Sequence, residues 1–211
     1  MKKRKTHNRQ SLHSYHESQI PKLVGSLFRE ASNEVEVSSV YAVTSVQHGE
    51  GASTISLLVA REFARQPGRK ILLASTDDFR QLVPEDLAQP DLCWGREQSS
   101  FFRVIASERK PLVGSAWDSD PRFARALIQL LRQHFDAVLV DAGDLLSSHD
   151  IARLGHLIDG VVLVVQADRS TKAQIERALQ VLSLAGGELK GCVLNRRTYP
   201  IPDLIYRWFR S

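Results

Sequence analysis

The segment Asp159-Gly-Val-Val-Leu-Val-Val-Gln166 constrains the fold most, because five consecutive apolar residues, four of them β-branched, read as a strand buried on both faces. Such strands lie inside parallel sheets, and parallel neighbours need a crossover connection, usually a helix. The rest of the chain keeps that rhythm. Ser38 to Val46, Lys70 to Ser75, Ala137 to Asp141 and Leu189 to Asn195 read as further strands, and Phe102 to Ala106 as a short extra one. Helical patterns fall between them: Ser53 to Gln66, stopped by Pro67-Gly68; Pro121 to His134, entered through Ser119 and Asp120; and Thr171 to Ala185, ending at Gly186-Gly187. An amphipathic helix over Pro21 to Ala31 precedes the first strand. The expected architecture is a single α/β domain, a mainly parallel β-sheet flanked by helices in a three-layer α/β/α sandwich.

A length of 211 residues supports one sizeable core. The domain is expected over residues 20–199, between a basic flexible tail (1–19) and an apolar-aromatic segment (200–211). The tail carries Lys2, Lys3, Arg4, Lys5 and Arg9 against Glu17 alone, which accounts for the formal net charge of +4. It reads as a solvated tail, with an anionic membrane surface or an acidic partner as the functional alternatives. Cys93 and Cys192 lack CxxC or histidine spacing, so neither a disulfide framework nor a zinc site is suggested. No apolar run approaches the length of a membrane span. A cytoplasmic location is expected, with peripheral association at the inner membrane as an extension of it.

The first βα connection reads Ser45-Val-Gln-His-Gly-Glu-Gly-Ala-Ser-Thr54. A phosphate-binding loop curls consecutive backbone N–H groups around an anion at a helix N-terminus, and Gly49 and Gly51 supply the backbone freedom. In a Walker A loop a lysine then neutralises the β and γ phosphates, and the next hydroxyl helps to hold magnesium. Ser53 and Thr54 are present; the lysine position is Ala52. The same residues also read as a tight βα turn in which Ser53 and Thr54 cap a helix, and both readings stay open.

From these residues the chain resembles the cytoplasmic P-loop domain of the bacterial tyrosine autokinases of capsule and exopolysaccharide synthesis, within the wider MinD/ParA-like group. The resemblance spans about Ser38 to Arg197. The family reads Pro-Gly-Glu-Gly-Lys-Ser/Thr-Thr where this chain has His48-Gly-Glu-Gly-Ala-Ser-Thr54. The second lysine of MinD-like proteins would fall on Gln47. A strand ending in Asp-x-Asp corresponds to Lys70-Ile-Leu-Leu-Ala-Ser-Thr-Asp77, so the first carboxylate is Ser75 and the second is Asp77. Walker B is better kept, Phe135-Asp-Ala-Val-Leu-Val-Asp141, followed by Ala142-Gly-Asp144 in place of Thr-Pro-Pro. Asp150, Asp159 to Val165 and Gly191-Cys-Val-Leu-Asn-Arg196 match later family segments.

The resemblance implies a nucleotide site built from Gly49, Glu50, Gly51, Ala52, Ser53 and Thr54, with Asn195 on an adenine edge. It implies Ser53 and Asp141 beside magnesium, and Asp77 and Asp141 as the retained magnesium-side carboxylates. Asp141 and Asn195 read equally as turn formers at strand ends. Phosphoryl transfer depends on positioned positive charge and metal, and each such contact in a dry site contributes roughly 2 to 4 kcal/mol to the rate. Loss of the loop lysine and one carboxylate therefore points to a catalytically degenerate pseudoenzyme that binds ATP or ADP with Mg weakly or not at all. The tyrosine-rich C-terminal tail of the autokinases is reduced to Tyr199 and Tyr206.

Three functions follow. The favoured one is a regulatory or scaffolding partner in exopolysaccharide synthesis and export. By resemblance, its partner is a membrane-embedded chain-length-determinant, export or synthase protein. The second is an unconventional ATPase or tyrosine kinase with a displaced cation. The third is a MinD-like membrane-associated positioning module, anchored through Leu204, Ile205, Trp208 and Phe209. Phe28-Arg-Glu30 is what remains of the Glu/Arg motif that family members use in ring assembly, which makes a homo-oligomer an expectation. No nucleic acid is expected, because no helix carries a basic, base-reading face.

Overall fold

The computed structural model describes residues 19–28, 38–88, 94–98, 100–104 and 114–195. Residues 1–18 of the basic tail, Arg29 to Ala31 of the first expected helix, Cys93, Ile105 and Ala106 of the expected extra strand, Arg196, Arg197 and the aromatic C-terminal segment lie outside them.

Chain order is helix α1 (19–28), strand β1 (Ser39–Ser45), α2 (Ala52–Phe63), β2 (Ile71–Ser75), α3 (Thr76–Gln81), a 3-10 turn (Pro84–Ala88), β3 (Trp94–Gln98), β4 (Phe101–Val104), α4 (Ala116–Ser119), α5 (Pro121–His134), β5 (Ala137–Asp144), α6 (Asp150–Leu154), β6 (Gly160–Gln166), α7 (Lys172–Leu184) and β7 (Leu189–Asn195). The seven strands form one sheet in the order β3-β4-β2-β5-β1-β6-β7. Every pairing is parallel except β3 with β4, an antiparallel hairpin at one edge. The expected three-layer α/β/α architecture is present. Its core is two apolar layers divided by the sheet: Ile55, Val59 and Phe63 of α2 pack with α1 on one face, and Phe123, Leu127 and Leu131 of α5 pack on the other. The strand of the opening argument, β6, is buried along Gly160 to Val165 and contributes alternate residues to the two layers.

Helix ends follow local chemistry. Asp120 caps α5, its carboxylate accepting the Arg122 N–H at 2.8 Å, with Pro121 in the first turn. Thr171 and Gln174 form a reciprocal capping box on α7. The structure differs from the sequence expectation in three respects. Strand β5 continues past Asp141 to Asp144, because β1 bulges between Val43 and Ser45 and carries the pairing on to Asp144. The short extra strand is Phe101–Val104, and its hairpin partner Trp94–Gln98, which forms the edge of the sheet, has no alternating pattern to announce it. Helices α3, α4 and α6 have at most six residues each, too short for a helical period to show.

Those three short helices meet at Asp150, which is 4% exposed. Its carboxylate accepts from Thr76 Oγ1 (2.7 Å), Ser148 Oγ (2.8 Å), Arg80 Nη2 (2.6 Å) and Trp117 Nε1 (3.2 Å). Burial pushes the carboxyl up, but the hydrogen bonds from Thr76, Ser148 and Trp117 and the Arg80 charge outweigh it and hold it below the ordinary carboxylate value. Because the folded value is depressed, the stabilisation is complete above the unfolded value of 3.8 and is lost as pH falls below it. The stability gap between wild type and Asp150→Asn, measured by urea unfolding, is expected to be constant from pH 5 to 7 and to shrink below about pH 4.

Candidate functional site

The connection from β1 to α2 lies at the carboxyl ends of the central parallel strands, where α/β sheets place ligand crevices. Gly49 (φ 82°) and Gly51 (φ 104°) both take the left-handed backbone that favours glycine. Gly51 is the N-cap of α2, and no side chain caps that helix. Ser53 and Thr54 occupy the first turn with their side chains exposed, so the expected capping role belongs to neither. An uncapped 12-residue helix behind two positive-φ glycines has the form of an anion cradle.

The loop is held from within by Glu50, which is fully buried. Its Oε2 accepts the N–H groups of Val46 (3.0 Å) and Gln47 (3.2 Å), and Ser170 Oγ donates to Oε1. Asn195, at the end of β7 and 6% exposed, donates its Nδ2 to the Glu50 carbonyl at 2.6 Å. This places Asn195 against the loop backbone: a Cβ on Gly51 would lie 2.2 Å from Asn195 Nδ2. Gly51→Ala is therefore expected to combine a left-handed strain of about 1–2 kcal/mol with displacement of a buried amide, for a total of about 2–4 kcal/mol. Urea unfolding with an unchanged slope and a lower midpoint checks it.

Ala52 is 6% exposed and packs with Ile55, Val59 and Val43 in the α2-side layer. Strand register brings the two magnesium-side positions together, since Asp141 lies beside Val43 of β1 on one side and Ser75 of β2 on the other. A cleft of about 410 Å³ opens there, lined by Ser53, Thr54, Ser75, Asp78, Arg103 and Asp141 among others. Asp77 is directed elsewhere. Its side chain is 84% exposed and accepts from Arg80 Nη1 at 2.8 Å, while Arg80 also pairs with Asp118 and Asp150. The carboxylate of this stretch that faces the cleft is Asp78. It also completes the α3 capping box, accepting the Ser75 N–H at 2.7 Å while its own N–H donates to Ser75 Oγ.

The residues fit a phosphate group in part. The backbone cradle and the cleft-facing hydroxyls of Ser53 and Thr54 suit it, and Asp141 with a hydroxyl suits the outer sphere of a hydrated magnesium ion. Position 52 brings no charge. Among the described residues no cluster of three or more His, Cys, Asp or Glu is placed to hold a metal unaided. Two cations that sequence reasoning missed stand nearby. Arg103 of β4 lines the cleft, with Glu97 3.7 Å from its Nε, and the Arg169 Nη1 lies 3.4 Å from where a Cβ on Gly49 would sit. No spacing in the sequence links either arginine to the loop; a β-hairpin and a β6–α7 turn bring them there.

No protein-family profile matches the chain. The tyrosine-protein kinase CpsD of Streptococcus agalactiae is 25% identical over 173 residues, covering 74% of each chain. The chain is a homologue of the bacterial tyrosine-protein kinases. Its fold agrees with theirs: the VpsO kinase domain superposes with a TM-score of 0.67 at 21% identity, covering 88% of this chain and 98% of that one. The MinD cell division protein of Aquifex aeolicus superposes at 0.58 with 16% identity, over 81% and 73%. This tyrosine-kinase homologue has the mostly parallel, P-loop type of sheet those proteins share. Among its described residues no helix is long and apolar enough to cross a membrane.

Proposed function

We propose that this tyrosine-kinase homologue is a catalytically degenerate P-loop protein that acts as a regulatory or scaffolding partner in bacterial exopolysaccharide synthesis and export. The observation that carries the reading is Ala52, an uncharged side chain packed into the α2-side layer at the position where the transferred phosphate needs a lysine. Ser75 at the first magnesium-side carboxylate position and Asp77 turned to Arg80 support it. Glu50, Ser170 and Asn195 brace the loop from within. Kinship with capsule and exopolysaccharide tyrosine kinases supports the polysaccharide setting. The partner is a membrane-embedded chain-length-determinant, export or synthase protein, and a homo-oligomer fits the same setting.

Complementation tests this reading. In a strain lacking the gene, the Asp141→Asn chain is expected to restore polysaccharide output as fully as the wild type, and neither chain is expected to label itself with γ-phosphate. Failure of Asp141→Asn to complement, at normal protein level, would overturn the scaffold.

A second reading, an ATPase or kinase with a displaced cation, is favoured by Arg103 on the cleft wall and Arg169 beside Gly49. On that reading calorimetry with ATP-Mg shows submillimolar binding that Arg103→Ala weakens tenfold or more. On the scaffold reading both chains bind weakly or not at all.

A further inference from the structure

We propose that a second cleft, at the end of the sheet opposite the P-loop, binds a phosphoryl group. It has a volume of about 400 Å³ and is lined by Ser38, Arg69, Lys70, Arg132, His134 and Asp136 among others. These residues lie where β1, β2 and β5 begin, whereas the loop lies where β1 ends. The proposal does not depend on how the loop is read.

Hydrogen bonds frame this cleft. Asp136 and Ala137 both donate their N–H groups to the Lys70 carbonyl, at 3.0 and 3.2 Å, and Ser39 N–H donates to the Asp136 carbonyl at 3.1 Å. The Asp136 carboxylate accepts the Lys70 N–H at 2.5 Å. Arg132 is anchored: its Nη1 donates to the Ser38 carbonyl (2.6 Å) and Asp159 Oδ2 (2.9 Å), and its Nη2 donates to the Leu157 carbonyl (3.3 Å) and Asp159 Oδ1 (3.0 Å). Four of its five N–H groups are thereby used, and Nε–H has no acceptor among the described residues.

Three further features point to an anion. The Ser38 hydroxyl is buried without a hydrogen-bond partner among the described residues, a state that native proteins rarely keep unless something else satisfies it. Arg69 and Lys70 form no ion pair among the described residues, whereas Asp159 neutralises Arg132. His134 adds a ring whose Nδ1 lies 2.9 Å from the Leu130 carbonyl and which packs at a tilt against Trp94, so it shapes the wall. Two unneutralised cations against one carboxylate, with a hydroxyl and a guanidinium N–H to spare, suit the several acceptor oxygens and double charge of a phosphate.

The test is an NMR titration of the 15N-labelled full chain with inorganic phosphate and, separately, glucose 1-phosphate, at ionic strength held constant with sodium chloride. Saturable shifts at the amides of Ser38, Gly68 and Lys70 are expected with both ligands. Tenfold weaker binding is expected in Arg69→Ser/Lys70→Ser, of which Lys70 is exposed and Arg69 half-buried, and about threefold weaker binding in Ser38→Ala. Tighter binding of glucose 1-phosphate also supports the proposal and identifies the source as a phosphate ester. Shifts that sodium chloride alone reproduces, or affinities unchanged in both variants, would overturn it.

Discussion

Asp150→Ala is expected to destabilise the protein by about 3–5 kcal/mol, the cost of removing one partner from a buried, hydrogen-bonded ion pair. At this chain length that lowers the thermal midpoint by roughly 10 °C. The magnitude follows from what remains behind. Thr76 Oγ1 and Trp117 Nε1 lose a buried acceptor, and Arg80 keeps only its more exposed partners, Asp77 and Asp118. Asp77→Ala, by contrast, removes a partner that is 84% exposed and is expected to change stability by less than about 0.5 kcal/mol. Calorimetric melting of the two variants side by side checks the contrast. Equal effects would mean that the cluster is a surface network and that α3, α4 and α6 are held by something else.

Ala52→Lys is expected to strengthen ATP-Mg binding by about a hundredfold, equivalent to about 2.7 kcal/mol. The backbone that would receive the phosphate is already formed: two glycines at positive φ, an uncapped helix and the buried Glu50 brace. The substitution adds the absent charge on a longer stem that replaces a methyl packed in the layer of Val43, Ile55 and Val59. Titration calorimetry of wild type and variant checks it. A lysine that leaves affinity unchanged would mean that the loop serves packing alone. Even with tight binding restored, transfer to a tyrosine is expected to stay slow in Ala52→Lys, because Ser75 leaves the metal side short of a carboxylate.

Much of this fold is legible in the chain. The unbroken apolar run of β6, the Pro121 entry of α5 and the Gly186-Gly187 exit of α7 are local signals with local causes. Short elements are not legible in that way. A four-residue helix such as Ala116–Ser119 has no period to read, and its reason for existing is the contact that buries Trp117 against Phe79 and Asp150. The site divides along the same line. Gly49 to Thr54 could be singled out from the loop's own pattern, and Ser75 and Asp141 from the resemblance to the tyrosine autokinases. That Asp78 rather than Asp77 faces the cleft depends on how α3 is turned, and that turn is set by Arg80 reaching Asp150 some 70 residues away.

By itself the sequence determined the layers, the place of the loop and the absence of its lysine, because burial pattern, glycine freedom and residue identity act within a few positions of the chain. Only the tertiary structure decided which charges meet. Asn195 rests against Gly51, Arg103 lines the P-loop cleft, and Arg69 and Lys70 stand beside the unpartnered Ser38 hydroxyl at the far end of the sheet. Those pairings depend on strand order and register, which place residues far apart in the chain within a few ångströms of each other.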